Sequence, residues 1–243
     1  MVRRAASFGI RQIVAATHVS LEGVGRDDEA DPTAVTEALQ TQVRAAGIDI
    51  TLVPGCETTL SSSLVAQVPA APWLTIGGQR RYLLVMVELP SVSRWPVWAD
   101  ELVFRLALVQ VAPVICHPER IPAVQRVPHL LLPAIRRGAR VQITAASLTR
   151  RARRAERRCA FALLRLGAVS FVASDAHRVE DVQPGEVVDR VVAAVGREEA
   201  RRILVGNPRL VLAGEPVPCP TGADGDDGRE RARVWSRPGW ARR

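Results

Sequence analysis

A chain of 243 residues is long enough to bury the core of one barrel-sized domain or two small ones. Its formal charge of +8 rests on arginine alone, since no lysine occurs, and the abundant Ala and Val beside it read as the codon bias of a GC-rich genome. Aromatic residues are too scarce, at 4%, to support a base-stacking nucleic-acid binder, and no stretch approaches the about 20 apolar residues of a membrane span.

The apolar run after Arg3 and Arg4 is broken at Arg11 and Gln12, so no export signal is expected and the chain is placed in the cytoplasm. The first strand is Ile13-Val-Ala-Ala-Thr17, running into His18. Asp31-Pro32 then reads as a cap with proline at the first helical position; Val35, Leu39 and Val43 recur at helical spacing, and Gly47 suits the helix end. Residues 48–54 form a strand that runs into Glu57, and residues 83–87 form another that runs into Glu88. A helix over residues 99–109 precedes Val114-Ile-Cys116, which runs into His117.

Between residues 136 and 158 stand nine arginines against Glu156 alone, and this run reads as the solvated face of a helix over residues 152–166. That helix turns Ala155, Cys159, Ala162 and Leu166 inward and ends at Gly167. Cys159-Ala-Phe-Ala-Leu-Leu-Arg165 has the Cys-x5-Arg spacing of thiol phosphatases. On a helix, however, it cannot form the phosphate-cradling loop which that chemistry needs. Val169-Ser-Phe-Val-Ala-Ser-Asp-Ala-His177 is an apolar strand ending in Asp175 and His177, and a further helix follows over residues 187–195. From Pro216 onward Gly, Asp, Pro and Arg dominate, as in a disordered tail. Cys56, Cys116, Cys159 and Cys219 show neither close pairing nor Cys-x-x-Cys spacing, so no disulfide framework is indicated.

Strands alternating with helices predict an α/β fold with a parallel sheet. Five of its strands run into a His, Glu or Asp. Singly, each of these residues reads as a hydrogen-bonded loop side chain. As a set at the carboxyl ends of parallel strands, they read as a metal-binding mouth built from imidazole and carboxylate donors. His129, inside Val127-Pro-His-Leu-Leu-Leu132, joins no strand end and is left structural.

The ordered set Ile13-Val-Ala-Ala-Thr-His18, Gly55-Cys-Glu57, Glu88-Leu-Pro90, His117-Pro-Glu-Arg120, Ser147-Leu148, Ser174-Asp-Ala-His177 and Asn207-Pro208 resembles the bacterial protein-tyrosine phosphatases of the PHP (polymerase and histidinol phosphatase-like) type, which accompany capsular or exopolysaccharide synthesis. The resemblance covers residues 1–212. It implies a distorted β/α (TIM-like) barrel over residues 1–215 that hydrolyses phosphotyrosine with up to three divalent ions, usually Mn2+. Glu57 would bridge two metals, Glu88 and His117 would complete one and Asp175 the other, and His18 and His177 would hold the third. Arg120 would grip the phosphate beside Asp175 and His177, and the substrate would be a phosphotyrosine protein such as the tail of a bacterial tyrosine kinase.

Three departures from the family pattern modify that expectation. The opening His-x-His strand has no counterpart before the helix at Met1, so the barrel is expected to lack its first strand and to bind fewer ions. An arginine expected near Val182-Gln-Pro184 is absent, with Arg178 standing nearest. Arginines replace the glycine and Phe-Gly expected after Ser147-Leu148. Two alternatives therefore stand beside the phosphatase: an impaired homologue that binds phosphotyrosine, and a phosphoesterase acting on a small phosphate monoester.

Overall fold

Six strands pair in parallel and in strict sequence order, β1 (Gln12–His18), β2 (Thr51–Thr59), β3 (Tyr82–Met86), β4 (Ala112–Cys116), β5 (Arg140–Thr144) and β6 (Phe171–Ala173). The computed structural model describes residues 1–21, 31–87 and 95–223. Around the strands run α1 (Val2–Ser7), α2 (Thr33–Ala45), α3 (Ser62–Gln67), α4 (Val97–Leu108), α5 (Pro122–Arg126), α6 (Leu132–Arg136), α7 (Arg154–Arg165), α8 (Pro184–Val195), α9 (Arg197–Arg201) and α10 (Asn207–Leu212).

Parallel strands added always on the same side, through crossovers of one hand, send their helices to one face, and the sheet curls away from them. A flat sheet of six strands would hold its edges about 24 Å apart at about 4.8 Å per step. Here the ring of His18, which ends β1, lies 6.3 Å from the ring of His177, just beyond β6. The sheet is thus a half-barrel. No ladder joins β1 to β6 among the described residues. α1 packs across this junction: Arg4 Nε donates to the Val182 carbonyl at 2.8 Å, and Ala5 is buried in one apolar cluster with Val182.

The period-two alternation of the strands divides the core. Leu83, Val85, Ile115, Val141 and Ile143 face outward, into the cluster formed with the helices, together with Leu106, Ile135, Leu163 and Val191. Tyr82, Leu84, Val114, Cys116 and Phe171 face the barrel interior, where Val14, Val53 and Val211 join them. This interior cluster leaves Val14, Ala16 and His18 on one face of β1, and Val53, Gly55 and Glu57 on one face of β2. The two site residues therefore point into the barrel by parity alone.

Several expectations shift. β2 begins later than residue 48 and runs to Thr59, so Glu57 lies inside the paired strand rather than after it. Pro54 is tolerated there because β3 pairs only with Glu57 to Thr59, leaving the proline with a partner on the β1 side alone. β5 falls inside the arginine-rich run that reads as one helical face. α2 is a helix but its phase is turned: Val35 is 71% exposed while Thr36 and Val43 are buried. On the buried side Gln40 accepts from Leu52 N and donates to the Ile50 carbonyl at 3.1 Å, tying α2 to the start of β2 by polar contact beside the apolar packing of Val43 on Ile50 and Leu52.

The tail expected from Pro216 is docked over its first part. Val217 is buried, its amide donates to Tyr82 Oη at 2.7 Å, and its carbonyl accepts from Arg140 Nη2 at 2.6 Å. Residues 224–243, the remainder of that tail, lie outside the described residues. Tyr82 Oη also donates to the Glu215 carbonyl at 2.9 Å. Replacing Tyr82 by Phe is expected to cost about 1–2 kcal/mol and to free this segment. Faster hydrogen exchange at residues 215–219, with the helices unaffected, would show it.

Candidate active site

Register sets the first pair. His18 is the ladder partner of Glu57, so the two side chains stand at one level on neighbouring strands, with His18 Nε2 at 3.9 Å from Glu57 Oε2. The close approach of these strands explains Gly55: a Cβ there would meet Val14 Cγ1 at 2.7 Å. Glu57 also reaches across β3 to His117, whose Nε2 lies 2.9 Å from its Oε1. Only a concave sheet allows that contact between strands two places apart.

Glu57 is 7% exposed. Burial pulls its carboxyl upward, but the hydrogen bond and charge of His117, then the charge of His18 and a hydrogen bond from Cys116, more than offset this and hold it below the usual carboxylate range. It is therefore ionised at neutral pH.

His117 and Asp175 are two of four non-glycine residues with positive φ among the described residues, at 37° and 49°. His117 follows β4 and Asp175 follows β6. Such backbone is costly for residues with a Cβ and persists where the surrounding structure enforces it, characteristically at sites that aim a side chain. Asp175 Oδ2 accepts from Arg120 Nη2 at 2.7 Å, and the same Nη2 donates to Thr144 Oγ1 at 3.2 Å. His177 Nδ1 sits 3.0 Å from the Asp175 carbonyl. A carbonyl can only accept, so Nδ1 carries the proton and Nε2 is left with its lone pair, the form in which imidazole ligates a metal.

Of the residues expected at the site, His18, Glu57 and His117 are brought together on one side of the mouth and Arg120, Asp175 and His177 on the other, with the His18–His177 approach joining the two groups. Glu88 lies outside the described residues. His129 is exposed on the short turn Pro128–Leu131. Cys159 is buried on α7, and burial pushes its thiol up to about 12, so it is protonated and sealed at any working pH.

Sequence reasoning assigned no role to Glu119 or Thr144. Glu119 is fully buried between His117 and Arg120. Its Oε1 accepts from Thr144 N at 2.9 Å and Ser147 Oγ at 2.7 Å, which pins the His117-Pro-Glu-Arg120 turn to the end of β5. Burial is the main cause that raises its carboxyl above the usual range. The signal was present in the motif itself, where an acid stands between two site residues. What it touches could not be read without the fold. Asn207 is likewise fully buried and donates to the Ser170 carbonyl at 2.8 Å, fixing the entry to β6.

A family model described as capsular polysaccharide synthesis, CpsB/CapC, matches residues 1–213. The chain belongs to this family. Among its relatives, the tyrosine-protein phosphatase YwqE of Bacillus subtilis is 29% identical over 180 residues, 74% of this chain and 69% of that protein. CapC of Staphylococcus aureus is 27% identical over 179 residues, 74% of this chain and 68% of the other. A crystal structure from work on YwqE and on CpsB of Streptococcus pneumoniae, described there as unique metal-dependent tyrosine phosphatases, superposes with a TM-score of 0.77 at 28% identity, covering 91% of this chain and 90% of that one.

The donor set found here suits a divalent cation. It joins a carboxylate in a largely buried position, Glu57, to the imidazoles of His18, His117 and His177, a combination that hard and borderline ions favour once the His117 proton has left. Among the described residues no three of these donors yet surround one point, as Glu57 is engaged by His117 and Asp175 by Arg120.

Glu119→Ala leaves a buried amide and hydroxyl unpaired. It is expected to destabilise the protein by on the order of 2–4 kcal/mol in urea unfolding. Glu119→Gln keeps the accepting oxygen and should cost less than half as much.

Proposed function

We propose that this chain hydrolyses phosphotyrosine on protein with divalent metal, Mn2+ first, and acts in the cytoplasm on the tail of a bacterial tyrosine kinase that serves capsule or exopolysaccharide synthesis. The observation that carries the reading is convergence. The ends of β1, β2, β4 and β6 meet at one mouth, with His18 and His177 6.3 Å apart, and the guanidinium of Arg120 stands among them. The phosphatase names and the metal dependence belong to the relatives and the superposed structure; they support the reading by likeness over nearly the whole chain. The absence of a disulfide among the described residues accords with a reducing compartment, and no described helix is long and apolar enough to cross a membrane.

His18, Glu57, Glu88, His117, Asp175 and His177 would hold the ions. Bound there, they supply Lewis acidity and positive charge against the phosphate dianion. Glu57 enters this arrangement already ionised, so no proton has to leave a buried carboxyl before an ion can bind. Arg120 is aligned by Asp175 and Thr144 through Nη2, which leaves its Nε–H and Nη1 hydrogens to donate to phosphate oxygens. The left-handed backbone at His117 and Asp175 keeps both side chains turned to that point. No thiol takes part.

Turnover of p-nitrophenyl phosphate should be abolished by chelation, restored by added Mn2+, and left within about twofold of the native rate in Cys159→Ser. Loss in Cys159→Ser together with indifference to chelator would overturn the metal reading. Arg120→Ala should lower kcat/KM by roughly 10²- to 10³-fold, the range found when a charged stabiliser of the transferring group is removed. Metal content by plasma emission should stay unchanged in that variant.

A further inference from the structure

We infer that the arginine loop after β5 forms an anion-recognising rim at the mouth of the site, which selects phosphotyrosine peptides whose flanking residues are acidic. This rests on the phosphatase reading above and specifies its substrate.

The run that reads as a helix face in the sequence is split by the fold. α7 begins only at Arg154. Arg150, Arg151 and Arg153 precede it, on the connection that leaves the carboxyl end of β5 through the turn Ala145–Leu148. β5 ends at Thr144, whose Oγ1 receives Arg120, so this connection starts within the site.

It is also held there. Ser147 Oγ is fixed by Glu119, and the Leu148 carbonyl accepts from Arg190 Nη1 at 3.0 Å. Arg151 Nη1 donates to the Glu180 carbonyl at 3.2 Å. The next residue, Asp181, accepts the His177 and Arg178 amides through Oδ2 at 3.1 and 2.8 Å. The loops after β5 and β6 are thereby tied together beside His177.

Arg150, Arg151, Arg153 and Arg178 are all exposed. The acids facing them are fewer or already engaged. Asp181 is taken by two amides, Glu186 by Arg190, and Glu156 lies 3.9 Å from Arg153 Nε, leaving the exposed side chain of Glu180. A phosphotyrosine seated against Arg120 would lead its neighbouring residues across this rim. There, carboxylates would meet guanidinium groups at several points, each contact weak alone but additive along a peptide.

The test compares the native protein with the double variant Arg150→Ala, Arg153→Ala, loaded with Mn2+, which leaves the Arg151 tie beside His177 in place. Substrates are a phosphotyrosine peptide flanked by glutamates, the same peptide flanked by glutamines, and p-nitrophenyl phosphate. Peptide Kd is read by fluorescence anisotropy alongside kcat/KM. The native protein should favour the glutamate peptide by about tenfold in both readouts at low salt, with the preference shrinking as salt rises. The double variant should cut that ratio to about two or less while p-nitrophenyl phosphate turnover stays native. Equal handling of the two peptides by the native protein, or a preference undiminished in the variant, would overturn the rim. Hydrolysis of none of the substrates, with the tighter Kd for the glutamate peptide intact and diminished in the variant, would overturn the phosphatase reading and leave the rim standing.

Discussion

The contact between Glu57 and His117 is the one on which the arrangement depends. The two residues belong to strands separated by β3, and their side chains meet at 2.9 Å only because the sheet is concave. Concavity in turn follows from connectivity, since six parallel strands in sequence order place their crossover helices on one face and leave the other to close on itself. The same curvature brings His18 to His177 from opposite edges of the sheet. A flat sheet of identical strands would carry every one of these residues and hold no site.

Curvature alone would leave the loops at the mouth free to move. Hydrogen-bonded polar groups limit that freedom. Glu119 fastens the turn after β4 to the end of β5, Arg151 fastens the loop after β5 to the one after β6, and Asp181 fastens the latter to His177. His117, Arg120, Asp175 and His177 therefore sit on short turns held by hydrogen bonds from other mouth residues, while His18 and Glu57 sit on paired strands. The positive φ of His117 and Asp175 is where the enforced geometry shows as local strain.

Electrostatics divide the mouth. On one side an ionised carboxylate lies among imidazoles, a donor set for cations; on the other the Arg120 guanidinium is paired with Asp175. A phosphate monoester dianion suits both halves, drawn by the guanidinium groups and by whatever cations the first half holds. The strong overall basicity of the chain is thus concentrated in part where an anionic substrate would enter. It is not simply spread over a solvated surface.

Strand identity and the chemistry of the strand ends were legible in the sequence because they are local: a short apolar run followed by His, Glu or Asp needs no partner to be recognised. His18, Glu57, His117, Asp175 and His177 could be named on that basis, and the motif order named the family. Three things were not legible, each because it depends on residues far apart in the chain. The phase of α2 includes Gln40 reaching the backbone of β2, a polar contact that hydrophobic spacing cannot show. The division of the arginine run into β5, a mouth loop and α7 was hidden because one composition serves all three. Glu119 is a clamp and Val217 a docked residue only because Ser147 and Tyr82 lie across the fold from them, and parity along a strand carries no information about its neighbours' loops. The sequence by itself determined which residues could do chemistry; the curl of the sheet decided which of them meet, since convergence is a property of strand order and curvature that no single segment encodes.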